Sequence, residues 1–200
     1  MTPVSSVDEL AAIYGPAVPR SLTKVRDRLT PAYRTWINAA RFVVVSTVGP
    51  EGTDGSPRGD VGPVVRIADD RRLLLPDWMG NNRIDTLRNI VRDPRVSLMF
   101  MVPGSNNVVR VNGHAIVTVD SDVTQQFEQR GKHPRSVVVI TVTEVYFQCA
   151  KAIMRSALWS GEDHGAALPK AGDLLQEVEP DFDGAAYDAG YAAAAEAKMW

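Results

Sequence analysis

Between Phe42 and Ala150 the chain passes through closely spaced apolar segments rich in β-branched residues, each stopped by a cluster of Gly, Pro, Asn or Asp. This spacing limits the fold more than any other feature, because it leaves almost no room for alternating strand–helix units. The run "FVVVSTV" ends at Gly49-Pro50. "SPRGDVGPVVRIA" and "RRLLLPD" flank the Asp69-Asp70 turn, and "RVSLMFMV" closes before Gly104. "NNVVRVNGHAIVTV" and "RSVVVITVTEVYFQCA" follow. Six strands joined mainly by tight turns predict a mainly β chain with flanking helices, built on a six-stranded antiparallel barrel.

Helical signals surround and interrupt the strands. Ser6 and Glu9 match a capping box and Gly15 a C′ stop. Leu22, Val25 and Leu29, then Tyr33, Trp36, Ile37 and Ala40, recur at helical spacing, with Thr30-Pro31 as N-cap and N1 of a second segment. One interrupting helix is predicted from Arg83 to about Arg92 with Ile84, Leu87 and Val91 as its apolar stripe; a second runs from about Asp122 to Gln129, with Val123 and Phe127 facing inward. The expected organisation is an N-terminal helical segment over 1–40, a barrel domain over 41–159 and a C-terminal helical tail over 160–200. The alanine-rich "AAYDAGYAAAAEAKMW" in that tail has high helix propensity and reads as an arm on a partner subunit or a frayed end.

Composition removes several classes of function. Lys and Arg number 22 against 24 Asp and Glu, without a block of like charge, so the broad basic footprint of a nucleic-acid binder is missing. The longest apolar runs fall far short of the roughly 20 residues that span a bilayer. A single cysteine, Cys149, and an N-terminus without a basic or apolar leader point to a cytoplasmic protein. The three histidines are scattered without a partner at ligand spacing, which argues against a metal site.

No Ser-His-Asp order, CxxC, Walker A loop or GxGxxG is present. Polar residues instead collect where strands end and helices start. Asn81, Asn82 and Arg83 stand at the start of a predicted helix whose first-turn N–H groups and dipole would welcome a phosphate-sized anion; the same residues also make an ordinary turn and cap. In "SPRGD", Ser56, Arg58 and Asp60 share one strand face, and Gly59 leaves room for a planar group. Lys151 and Arg155, four apart in "CAKAIMRSALW", share a face if that stretch is helical and suggest an anion or an acidic partner.

The order of "SPRGD", "LLLPDWMGNNRIDTLRNIVRDPRVSLMFMVPG", "VRVNGHAIV" and "YFQCAKAIMRSALW" resembles the pyridoxamine 5′-phosphate oxidase-like family of FMN-binding split barrels, over roughly residues 36 to 160. The resemblance implies a homodimer with FMN in grooves at the subunit interface. It implies that Arg58, Asn82 and Arg83, with Ser56 and Asn81 beside them, hold the phosphate and ribityl chain. Pro57, Gly59, Pro76 and Asp77 would line the flavin edge, while Lys151, Arg155 and Trp159 would reach in from the other subunit. Asp60 stands where the true oxidases carry a lysine, Arg83 is a single cation where they commonly have two, and their C-terminal Arg-x-His is missing; near "QQFEQRGKHPRS" only Arg130 and Arg135 are available to clasp a substrate phosphate. These departures point away from pyridoxamine phosphate as substrate. The expectation is an FMN-dependent oxidoreductase that moves hydride between a small molecule and flavin N5. The alternatives are a non-catalytic flavin- or haem-binding module and a deazaflavin-dependent reductase.

Overall fold

The computed structural model describes residues 1–149 and 151–200, so Ala150, the last residue of the expected final strand, lies outside the described residues. Among those residues seven strands form one antiparallel sheet: β1 (Phe42–Gly49), β2 (Gly52–Gly59), β3 (Arg66–Ile67), β4 (Arg72–Asp77), β5 (Arg95–Met101), β6 (Asn107–Thr118) and β7 (Ser136–Cys149). Their order is β2-β1-β5-β6-β7-β4-β3. Alternate residues point inward, as Val43, Val45 and Thr47 do in β1 and Val96, Leu98 and Phe100 in β5. One buried cluster takes residues from β1, β4, β5, β6 and β7, so the sheet curls one face around a single core, as in a split barrel.

The sheet has seven strands instead of six because "SPRGDVGPVVRIA" is not one strand. After Gly59 the backbone leaves the ladder: Asp60 N donates to Arg41 O at 3.0 Å and Val64 N to Ala40 O at 2.9 Å. Pro63 has no N–H to give to a sheet. The bend buries Val64 and Val65 and leaves only Arg66–Ile67 to pair with β4.

Eight helices flank the sheet among the described residues. The first three are α1 (Val7–Tyr14), α2 (Pro19–Thr23) and α3 (Pro31–Ala39); α4 (Asp85–Arg92) and α5 (Ser121–Thr124) lie between strands; α6 (Lys151–Arg155), α7 (Ala171–Val178) and α8 (Gly184–Ala197) follow β7. Ser6 accepts from Glu9 N at 3.1 Å, Gly15 closes α1 at φ 67°, and Thr30 accepts from Tyr33 N to cap α3. The helix expected through Val25 and Leu29 stops at Thr23. Arg26 instead exchanges two backbone hydrogen bonds with Val145 of β7, and Leu29 N bonds Asp70 O at 2.7 Å.

The helix α4 starts at Asp85, two residues beyond Arg83, and of the expected stripe only Leu87 packs against the core, because the buried face is rotated. Val91 and Ile84 are exposed, whereas Thr86, Asn89 and Ile90 are buried. Polar pairing explains the choice: Asn89 Nδ2 donates to Thr47 Oγ1 at 3.1 Å and Thr86 Oγ1 to Asp54 Oδ2 at 2.5 Å. The helix α5 ends at Thr124, before Phe127, because the chain then tightens into the Gln129–Lys132 hairpin with Arg130 and Gly131 at positive φ.

On the outer sheet face, Ile153 of α6 and Val108 form a small second cluster with Met99, Met101 and Trp159. Between β6 and β7 the register shifts at Asn112/Gly113, where a Cβ on Gly113 would lie 2.0 Å from the Thr141 carbonyl oxygen.

Candidate functional site

A cleft of 880 Å³ opens where β2 and β4 end and the chain turns into α4. Nine residues expected at a ligand site line it together: Ser56, Pro57, Arg58, Gly59, Pro76, Asp77, Asn81, Asn82 and Arg83. The ends of two strands and one turn therefore supply a common surface. Lys151, Arg155 and Trp159 stand apart from this cleft; the first two are exposed on α6, and Trp159 Nε1 donates to Ser105 O at 2.9 Å.

Arg58 is the most constrained cation in the cleft. Its Nη1 lies 2.6 Å from Asp77 Oδ1, with only 23% of the side chain exposed, so the guanidinium plane is fixed. Its Nε is buried without any acceptor, and among the described residues it is the only buried side-chain nitrogen or oxygen in that condition. A donor stranded in this way costs about 1–3 kcal/mol, a deficit that an oxyanion drawn against the guanidinium would offset.

Arg83 is held differently. Its side chain is 79% exposed and paired with Asp85, and that carboxylate raises the guanidinium pKa above its ordinary value, with Asp54 adding a weaker pull. Asn81 Oδ1 accepts from Arg83 N at 3.0 Å. Asn82 and Ile84 both adopt left-handed φ, at 60° and 54°, which is rare for a β-branched residue. The tight turn leaves the N-terminus of α4 without a side-chain cap, so its first N–H groups remain available beside the cleft.

Carboxylates balance these cations. Asp54, Asp60, Asp77 and Asp85 share the cleft with Arg58, Arg83, Lys132 and Arg135. Asp60, expected to stand where a lysine would bind phosphate, orients other groups: Oδ2 accepts from Trp78 Nε1 at 2.9 Å and Oδ1 from Gln129 Nε2 at 2.9 Å.

Several lining residues carry no local sequence signal. His133 Nδ1 lies 2.6 Å from the Phe127 carbonyl, which can only accept, so Nδ1–H donates there and fixes the ring's orientation. Met199 and Trp200 also line the cleft, although they are distant in the chain. Only the folded topology could bring them there.

The family model described as pyridoxamine 5′-phosphate oxidase matches residues 29–149, which run from just before α3 to the end of β7 and include both strand ends of the cleft. The chain belongs to the pyridoxamine 5′-phosphate oxidase family. Solved structures of related shape include HupZ of Group A Streptococcus, seen twice at 18% identity with TM-scores of 0.50 and 0.51. Those alignments cover 60% and 61% of this chain and 98% and 95% of HupZ. A Lactobacillus delbrueckii protein named as a candidate pyridoxamine 5′-phosphate oxidase is 22% identical, with a TM-score of 0.48, covering 60% of this chain and 95% of its own. No curated protein matches the chain. The part of this oxidase-family chain that begins at α6, with Lys151, Arg155, Trp159 and the α7–α8 arm, lies beyond the matched residues. No helix of the described residues is long and apolar enough to cross a membrane.

Proposed function

We propose that the chain is an FMN-dependent oxidoreductase that acts as a cytoplasmic homodimer, with FMN held in the cleft between β2, β4 and the turn into α4. The observation that carries this reading is Arg58, a rigid guanidinium with an unsatisfied buried donor at the wall of an 880 Å³ cleft. That volume falls within the range of cofactor sites, roughly 300–1,000 Å³. Arg58, Asn82 and Arg83 would hold the phosphate, Ser56 and Asn81 the ribityl hydroxyls, and Pro57, Gly59, Pro76 and Asp77 the edge of the ring. In the dimer, Lys151, Arg155 and Trp159 would come from the second subunit, which accounts for their distance from the cleft in one chain.

When bound, FMN supplies a two-electron centre at N5 that takes hydride from, or gives it to, a small-molecule substrate. The chain's own residues would position and insulate it. Asp77 keeps the Arg58 fork in one plane, and Asp60 fixes the Trp78 indole. His133, oriented by its Nδ1–H bond to the Phe127 carbonyl, would be the lining imidazole placed to exchange a proton with a substrate hydroxyl or amine.

Absorption spectroscopy of the purified protein before and after adding FMN tests the reading, followed by stopped-flow mixing with NAD(P)H. Flavin bands that bleach on reduction are expected. A haem Soret band, or a protein that takes up a deazaflavin in preference to FMN, would redirect it.

The Arg83–Asp85 pair leads to a further expectation. A phosphate arriving at Arg83 must displace the Asp85 carboxylate, so Asp85→Asn should tighten FMN binding about threefold at low salt. Arg83→Ala should weaken FMN about threefold to tenfold, an effect that shrinks as salt rises because the side chain is exposed. Both are read by fluorescence titration at two ionic strengths.

A further inference from the structure

The helices α7 and α8 pack as an arm through two facing glycines near their N-termini; a Cβ on Gly172 would meet Gly184 O at 2.2 Å, and one on Gly184 would meet Gly172 O at 2.6 Å. Most of α8 is exposed, yet its last turn and the residues after it return to the barrel with three contacts. Arg130 reaches Glu196, with Nη2 3.9 Å from Oε1. Lys132 Nζ donates to the Trp200 carbonyl at 2.8 Å. The Trp200 indole meets the Trp78 indole with centroids 5.3 Å apart and planes at 85°. Burial is concentrated on that side chain, since Trp200 is 8% exposed and its neighbour Met199 49%.

Trp78 is itself immobilised by Asp60, which Gln129 and the Val61 N–H also hold. A chain of contacts thus runs from the bend after β2 through two indoles to the Gln129–Lys132 hairpin. The cleft still measures 880 Å³ with Trp200 in it, so the indole narrows the space without filling it. Trp200 is buried while Trp78 is only half-buried, so the ring surface left for a third flat group belongs to Trp78, with the Trp200 indole packed against it.

We propose that Trp200 is a positioning residue of this cleft, delivered by the α7–α8 arm, which packs against Trp78 and holds that indole as the aromatic wall that receives a flat conjugated ring. The proposal rests on the flavin reading above and adds that ring recognition depends on a side chain more than a hundred positions from the strands that grip the phosphate. The arm thereby sets the width of the slot, and with it the thickness and planarity of the ring accepted.

Titrations with FMN and with riboflavin, which share the ring and differ in the phosphate, test this for the wild type, Trp200→Ala, Trp200→Phe and Arg83→Ala. The expected result is a loss of about tenfold for Trp200→Ala that is equal for the two ligands. Trp200→Phe should recover most of it, whereas Arg83→Ala should affect FMN alone. Recovery by phenylalanine separates ring contact from a general loss of structure, and circular dichroism of each variant checks the fold. Equal affinity in Trp200→Ala and wild type, or a loss seen with FMN but not riboflavin, would overturn the proposal while leaving the flavin reading intact. A wild type that binds neither flavin would overturn both.

Discussion

Arg58→Ala should bind FMN about ten- to a hundredfold more weakly than the wild type while riboflavin binding changes little. One charge-assisted hydrogen bond to a phosphate is worth about 1.5–3 kcal/mol, and each 1.4 kcal/mol is a factor of about ten. Arg58 should deliver that full range because its side chain is three-quarters shielded and already held in plane by Asp77. Little conformational entropy then opposes the contact. Arg58→Lys keeps the charge but loses the planar fork, so it should recover only part of the affinity. Calorimetric titration with the two ligands reads all three results, and equal losses for FMN and riboflavin would move Arg58 from the phosphate to the ring.

Gly113→Ala should cost about 2–4 kcal/mol of folding stability, measured by urea denaturation, with the slope of the transition unchanged. The reason is steric. A methyl group at this position would lie 2.0 Å from the Thr141 carbonyl oxygen, a backbone atom that can retreat only by disturbing the β6–β7 ladder. That ladder is the longest in the sheet and carries Val109, Val111, Ala115, Val138 and Ile140 into the core. A compensating bond, Thr143 Oγ1 to Asn112 O at 3.0 Å, holds the bulge from the other strand. A loss below about 1 kcal/mol would mean that the bulge relaxes at little cost.

The strands and their sequence are directly legible, because β-branched runs between Gly, Pro and Asp clusters report local preference that the core then rewards. Nine of the candidate site residues sit in "SPRGD" and "PDWMGNNR", two stretches whose local chemistry already suggests a ligand, and the fold brings them to one cleft. The features that escape the sequence are non-local. The buried face of α4 differs from its apolar stripe because Thr86 and Asn89 look like solvent residues until Asp54 and Thr47 are opposite them. The break after Gly59 depends on hydrogen bonds to Ala40 and Arg41, about twenty residues earlier. Asp60 reads as a missing phosphate lysine, although its partners Trp78 and Gln129 make it the strut that fixes the Trp78 indole. Trp200 lies in a stretch that propensity describes only as helical.

The departures from the oxidase pattern also take on physical content. Cations and carboxylates are matched in the cleft, so a phosphate would be held by fixed geometry at Arg58 more than by excess positive charge. This explains why the effect of Arg83 is expected to be smaller and sensitive to salt.

The most direct measurement is a crystal structure of the protein grown with FMN. The expected result is one FMN per chain in the cleft, its phosphate about 3 Å from Arg58 and beside the start of α4, and Lys151 and Arg155 of a second subunit facing it. FMN bound elsewhere, or bound here with its phosphate pointing away from Arg58, would contradict it.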